Sequence, residues 1–80
     1  MILCATGNQL TSLDVTENTV LIELYCSNNQ LSTDALNTLF NTINSNSNNL
    51  SNKYISIEKN PGTDACDRNI AVSKGWIFVN

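Results

Sequence analysis

A repeat with two spacings organises segment 1–31 of the chain. Segments 10–18 and 21–29 share the pattern LxxLxφxxN, where φ is apolar, at a spacing of eleven residues. The tetrapeptides at 7–10 and 28–31 match at a spacing of twenty-one residues. One structural turn is therefore predicted to span the longer spacing and to hold two similar halves. Because a single turn of this kind cannot bury its apolar side alone, successive turns must stack on one another.

Each residue type in the repeat has a physical role. Around Leu24, Tyr25 and Cys26 apolar residues alternate with period 2, which predicts a strand with Leu24 and Cys26 inside and Tyr25 outside. An asparagine follows, and its amide can bond backbone groups that the turning chain leaves unpaired. We therefore expect a structural ladder of asparagine side chains formed by Asn8, Asn18, Asn29 and Asn60.

The second part of the chain is predicted to continue the stack with helices added. Segment 55–60 has the shape of 24–29 at a spacing of thirty-one residues, so this turn is longer than the first. The extra length holds an amphipathic helix with Ser32 or Thr33 as its N-cap, followed by a loop rich in asparagine and serine at 45–53. The apolar face of the helix consists of Leu36, Leu39, Phe40 and Ile43.

A second helix is predicted after Asn60-Pro61-Gly62-Thr63. Thr63 is its expected cap, Asp64 and Asp67 suit its N-terminus, and Lys74 and Gly75 mark its end. Residues 76–79 then form a last strand. The four parallel strands are expected near 3–5, 24–26, 55–57 and 76–79.

Charge and composition exclude several classes of function. The net charge is −3, and the four basic residues, Lys53, Lys59, Arg68 and Lys74, are scattered along the chain. A nucleic-acid partner is therefore not expected, because no basic stripe can neutralise phosphates. No apolar run approaches the roughly 20 residues of a membrane span, so direct membrane insertion is not expected either.

The sequence contains no histidine. This removes the Ser-His-Asp and Cys-His catalytic devices and the commonest metal ligand. We expect no enzyme, no catalytic residue, no metal site and no cofactor. Cys4, Cys26 and Cys66 form no CxxC pair, and they are interpreted either as inert thiols of the core or as including one disulfide pair.

The outward strand positions are the candidate binding residues. The repeat predicts Glu23, Tyr25 and Ser27 on the solvent side of the sheet, with Tyr54, Ser56 and Glu58 beside them. Aromatic residues on the sheet face of a repeat protein are typical of surfaces that bind protein or sugar. The alternative is that aromatic residues simply favour strands and shield a thin sheet.

Two segments resemble leucine-rich repeat proteins of the kind common in gut anaerobic bacteria: LYCSNNQL at 24–31 and LTSLDV at 10–15. The tail, NPGTDACDR at 60–68 followed by SKGW at 73–76, resembles the C-terminal cap of those proteins. Two positions depart from the family pattern. Ala5 stands where cysteine is usual, and the longer ending leaves two registers open, with either Ile77 and Val79 or Trp76 and Phe78 pointing inward.

Repeat and resemblance together predict a single α/β domain over residues 1–80. It is a short right-handed leucine-rich-repeat solenoid with a parallel sheet of about four strands and two helices in its C-terminal half. Residues 1–31 form regular 21-residue repeats, and residues 32–80 form helical C-terminal repeats and a cap.

The resemblance implies a secreted or surface-anchored bacterial protein, usually longer than this chain. The expected function is non-enzymatic recognition of a protein or glycan, and the alternative is a purely structural C-terminal cap of a longer array. The first turn leaves Leu3, Leu10, Leu13 and Val15 without a neighbour, so we also expect its edge to dock on further repeats or to self-associate.

Overall fold

The computed structural model describes residues 1–45 and 52–79, so most of the loop predicted at 45–53 lies outside the described residues. The protein is α/β, with a four-stranded parallel sheet in the order β1-β2-β3-β4 and two helices. The prediction of four parallel strands and two helices is confirmed, and each strand begins within two residues of its predicted start. The elements are β1 (Ile2–Cys4), β2 (Glu23–Tyr25), α1 (Thr33–Thr42), β3 (Lys53–Ser56), α2 (Asn69–Val72) and β4 (Trp76–Phe78).

The register of the sheet reproduces the spacings of the sequence repeat. Leu3 pairs with Leu24 across the shorter turn, and Leu24 pairs with Ile55 across the longer one. The last pairing sets Ile55 beside Phe78. Because neighbouring parallel strands in register present the same face together, these four apolar side chains form one inward row over the core.

Helix α1 forms as its periodicity predicts. The Ser32 hydroxyl accepts a hydrogen bond from the Ala35 N–H at 3.1 Å, so Ser32 is the N-cap. Asp34 lies in the first turn, where the partial positive charge of the helix end favours a carboxylate. The apolar face is buried against the sheet and consists of Leu36, Leu39, Phe40 and Ile43.

The prediction of a helix capped by Thr63 is wrong. Helix α2 has only four residues, and the chain before it forms turns. The Thr63 hydroxyl is buried in the turn itself, where it accepts from the Asn60 N–H at 2.9 Å and donates to the Ile57 carbonyl at 2.7 Å. A Cβ on Gly62 would lie 2.2 Å from the Thr33 nitrogen, so the backbone presses against the start of α1 there. These contacts hold the segment in a tight turn, so the helix begins only at Asn69.

The last strand has one of the two registers that the sequence left open. Trp76 is 2% exposed and donates its indole N–H to the Asn44 carbonyl at 2.8 Å. Phe78 is half-buried and meets Phe40 edge-on, with 5.6 Å between the ring centroids. Ile77 is 43% exposed and faces outward. Trp76 and Phe78 therefore belong to the core.

The first copy of the LxxLxφxxN pattern, at 10–18, forms neither a helix nor a strand. It packs beside α1, where the Val15 N–H donates to the Thr42 hydroxyl at 3.5 Å and the Val15 side chain is buried. Leu3 and Leu13 pack half-buried against the same core. The expectation that Leu3, Leu13 and Val15 lack a neighbour is therefore wrong, because segment 10–18 folds against α1 and the core. Among the described residues, no helix is long and apolar enough to cross a membrane.

Candidate functional site

The outer face of the sheet holds the predicted binding residues in two rows. We use "outer face" for the outward side chains of β1 to β4 and of the residues just after β2 and β3. Register sets Glu23 beside Tyr54 in the first row and Tyr25 beside Ser56 in the second. Ile2 and Ile77 extend the first row at its two ends, and Cys4 extends the second.

The two tyrosines are half-exposed and hydrogen-bonded at their hydroxyl ends. The Tyr25 hydroxyl donates to the Glu23 carboxylate two residues before it. This hydrogen bond, with smaller contributions from burial and from nearby negative charge, raises the pKa of Tyr25. The Tyr54 hydroxyl accepts from the Asn52 side-chain amide at 3.1 Å. Both rings are therefore tethered at their polar ends.

Ser27 and Ser56 lie on the outer side of the sheet, as the repeat predicts, but they are not solvent-exposed. They are 9% and 4% exposed, and their hydroxyl oxygens are 2.6 Å apart. Both serines lie on the predicted side of the sheet, but the prediction that they are exposed is wrong. Each hydroxyl is hydrogen-bonded to the other between neighbouring strands instead of to solvent. The surface that a partner could touch first is formed by Glu23, Tyr25, Tyr54 and Glu58.

A depression of about 520 Å³ opens beside this surface. It lies between the turns that follow β2 and β3 and is lined by Ser27, Asn28, Glu58 and Lys59. Asn28 and Lys59 were not predicted as site residues. The match of 7–10 with 28–31 places Gly7 opposite Asn28, and a glycine aligned with an asparagine is typical of a left-handed backbone position that ends in a turn. That signal could have found this depression.

The ladder of asparagines has two fully formed members. Asn29 donates its side-chain amide to the Cys26 and Ala5 carbonyls, both at 3.0 Å, and its Oδ1 accepts from the Leu10 N–H at 3.1 Å. It thus joins its own turn to the turn before it. The amide is also 3.2 Å from the Ser27 carbonyl.

Asn60 repeats this arrangement one turn later. Its amide donates to the Ile57 carbonyl at 2.8 Å and to the Cys26 carbonyl at 3.1 Å, while its Oδ1 accepts from the Leu31 and Asn29 N–H groups at 3.2 Å. Both asparagines are buried, so these bonds satisfy backbone groups that water does not reach.

Asn8 and Asn18 differ from this pattern. Asn8 makes the bond within its own turn, from its amide to the Ala5 carbonyl at 2.8 Å, and is exposed. Asn18 is not on the ladder, because segment 10–18 does not join the sheet. Its amide lies 4.0 Å from the Met1 sulfur instead.

A second, smaller groove of about 250 Å³ lies between segment 12–14 and α1. Asp14 at its rim accepts hydrogen bonds from the side chain and the backbone N–H of Thr16, at 2.5 and 2.9 Å. These bonds hold the pKa of the Asp14 carboxyl below its usual value. The Asp14 carboxylate is thus already hydrogen-bonded within its own turn.

The three cysteines are unpaired. Burial raises the pKa of Cys26 to about 12, and its thiol donates to the Ser56 carbonyl at 3.3 Å. Burial likewise raises the pKa of Cys66. Over residues 1–45 and 52–79, no group of three or more His, Cys, Asp or Glu side chains is arranged to hold a metal ion.

Comparison of the chain with family models, with curated proteins and with solved structures found no match. What the outer face can bind therefore has to follow from its own chemistry.

Proposed function

We propose that this chain is a non-enzymatic leucine-rich-repeat module, a short right-handed solenoid that recognises a protein or glycan on a bacterial surface. The observation that carries the proposal is the pair Tyr25 and Tyr54, half-exposed on neighbouring strands of the outer face. The repeat assignment is supported by strand pairing at the spacing of the sequence repeat and by the asparagine bonds between turns.

The chemistry of the outer face suits recognition. A tyrosine supplies a large, amphipathic contact area at a low cost in conformational entropy. The bond to Glu23 restricts Tyr25 further, and less ordering is then needed on binding. Glu23 and Glu58 add hydrogen-bond acceptors at either end of the face.

The test is a binding screen with variants on two sides of the molecule. Labelled protein is applied to arrays of oligosaccharides and of extracellular proteins, and each hit is measured again with Tyr25→Ala and Tyr54→Ala. Thr38→Ala, at an exposed position of α1 beside the smaller groove, is the matched control. Hits that both tyrosine variants lose at unchanged melting temperature, and that the control keeps, support recognition through the outer face. Hits that survive both tyrosine variants contradict it.

A structural cap is the second candidate, favoured by the closed C-terminal end. There Trp76 is buried, and the Arg68 guanidinium lies 4.9 Å from the centroid of the Phe78 ring. In this case the chain closes the core of a longer array and blocks association at that edge. Tyrosine variants that lower the melting temperature without removing any binding would favour the cap over recognition.

The N-terminal edge is part of the proposal as a surface for self-association. Strand β1 is an edge strand without charged side chains. Ile2 within it and Met1 and Val20 beside it are more than half exposed. An edge of this kind is a template for pairing with another chain.

A further inference from the structure

Three equivalent positions, one in each successive turn, have a left-handed backbone. Gly7, Asn28 and Lys59 have φ of +77°, +58° and +63°. Their separations along the chain are the same two spacings that pair the strands. Glycine adopts this conformation freely and asparagine tolerates it, but lysine does so rarely. Position 59 therefore carries a long side chain although its backbone conformation favours glycine.

The side chains of Asn28 and Lys59, at the two positions equivalent to Gly7, lie at the same place on the surface. Asn28 and Lys59 both line the depression of about 520 Å³ on the outer face. This volume lies within the range of small-molecule sites, roughly 300–1,000 Å³. Residues held in an unfavourable backbone conformation cluster at functional sites, so the side chain of Lys59 is a candidate for a functional role.

The chemistry of the depression selects a class of ligand. It offers one carboxylate, one ammonium and one amide, from Glu58, Lys59 and Asn28, while the Ser27 hydroxyl that also lines it is already bonded to Ser56. Opposite charges side by side give no net attraction for an ion, whereas the three groups together both donate and accept hydrogen bonds. Tyr25, two residues before Ser27 on the same side of the sheet, does not line the depression but lies next to it along the strand. A neutral molecule with many hydroxyl groups fits this set.

We propose that Asn28, Glu58 and Lys59 form a subsite for a neutral oligosaccharide, with Tyr25 at its border. The inference rests on the proposed recognition function and narrows it to glycans. Lys59 and Asn28 are assigned as residues that determine specificity.

The experiment is an NMR titration of the ¹⁵N-labelled chain with oligosaccharides. The probes are cellopentaose, xylopentaose and mannopentaose, with trigalacturonate as the acidic comparison. At least one neutral probe is expected to shift the backbone amides of residues 27–28 and 58–59 at millimolar concentration, and more strongly than trigalacturonate. Absence of these shifts with all three neutral probes overturns the subsite, as does a stronger response to the acidic one.

Glycine variants separate a binding role from a structural one. Lys59→Gly and Asn28→Gly are expected to weaken the Kd of the neutral probe at least fivefold. Their melting temperature is expected to stay unchanged or to rise by a few degrees, about 2–5 °C, because glycine relieves the left-handed backbone. An unchanged Kd in both variants overturns the inference.

Gly7→Asn is the matched control, since it puts a side chain at the equivalent position of the first turn. A Cβ there meets nothing within 4 Å. It should leave the Kd unchanged, and a loss of affinity equal to that of Lys59→Gly would count against the subsite. If the probe is lost in Tyr25→Ala but kept in both glycine variants, recognition by the outer face stands and the subsite falls. If no tyrosine or glycine variant changes the binding, both proposals fall.

Discussion

The two edges of the sheet are built from similar apolar strands but end differently. At the first edge Ile2 is 59% exposed and Val20 is 64% exposed. At the last edge Trp76 is 2% exposed, and Phe78 is covered by Phe40 and by the Arg68 guanidinium. Ile77, the counterpart of Ile2 on the outer face, is exposed as well, and Val15 of the first turn is buried. The difference between the two edges is that the C-terminal turn carries its own aromatic closure of the core.

The asparagines show the same difference between the two ends of the molecule. Asn60 bonds the turn before it through the Cys26 carbonyl and the Leu31 N–H. Asn8 has the bond within its own turn and is exposed. Asn29 and Asn60 thus each bond backward to the preceding turn, whereas Asn8 bonds within its own turn. Stability should therefore be concentrated toward the C-terminus, and the following predictions test that difference.

The largest effect is expected at Trp76. Trp76→Ala removes a buried side chain and its bond to the Asn44 carbonyl, and it should lower the free energy of unfolding by about 3–5 kcal/mol. Ile77→Ala, on the outward side of the same strand, should cost less than about 1.5 kcal/mol. Urea unfolding followed by circular dichroism measures both. Equal costs at the two positions would mean that the C-terminal end is not closed by its tryptophan.

The asparagine comparison gives the next largest effect. Asn60→Ala leaves backbone groups of two turns without partners inside the protein and should cost about 2–3 kcal/mol. Asn8→Ala should stay within about 0.5 kcal/mol, since its bond is exposed. The same urea experiment compares the pair. A similar loss in both variants would show that the ladder is as important at the open end as at the closed one.

Alkaline pH tests the buried thiol of the second turn, Cys26. Burial raises the pKa of Cys26 from 9.0 to about 12, so the unfolded chain releases this proton at a lower pH than the folded chain does. The stability that this difference provides is complete below pH 9 and is lost as the pH rises toward 12. The raised pKa of Tyr25 acts in the same direction.

Cysteine variants identify the group responsible. Urea midpoints between pH 8 and pH 11 should fall less in Cys26→Ala than in the wild type. Val72→Ala, at an exposed position without a titratable side chain, is the control and should follow the wild type. A Cys26→Ala profile that is parallel to the wild type would assign the alkaline loss to other groups.

The smallest effect on folding, and a clear one on assembly, is expected at the open edge. Ile2→Lys should change the free energy of unfolding by no more than about 0.5 kcal/mol, because the side chain is already exposed. Size-exclusion chromatography with light scattering, over a hundredfold range of concentration, should show a dimer in the wild type that dissociates on dilution. The lysine variant should remain a monomer. A wild type that is monomeric at every concentration would mean that the open edge is not adhesive.

Much of the fold could be predicted because the spacing of the sequence repeat is also the spacing between paired residues of neighbouring strands. The spacing between the tetrapeptides at 7–10 and 28–31 is the spacing between Leu3 and Leu24 in the sheet. The face of α1 followed from four apolar residues at helical spacing, and side-chain hydroxyls limited its cap to Ser32 or Thr33, of which Ser32 is the cap. These features depend on residues that are close in sequence or related by the repeat.

The failures involve contacts that no local pattern contains. Thr63 has the character of a helix cap, but the close approach of Gly62 to Thr33 holds its turn against α1. Ser27 and Ser56 each have an outward, polar position, and only their pairing across two strands buries them. The depression was missed for the same reason, since Asn28 and Lys59 become neighbours only when the turns stack.

The spacing between paired strands carries one more consequence. The connection from Leu24 to Ile55 is longer by ten residues than the one from Leu3 to Leu24, and yet the strands pair without a break. Helix α1 lies in this longer connection and packs against the core rather than on the outer face. Connecting segments can therefore lengthen or shorten during evolution while the outer face keeps its geometry, and a designer can graft new loops behind the sheet without redesigning its front.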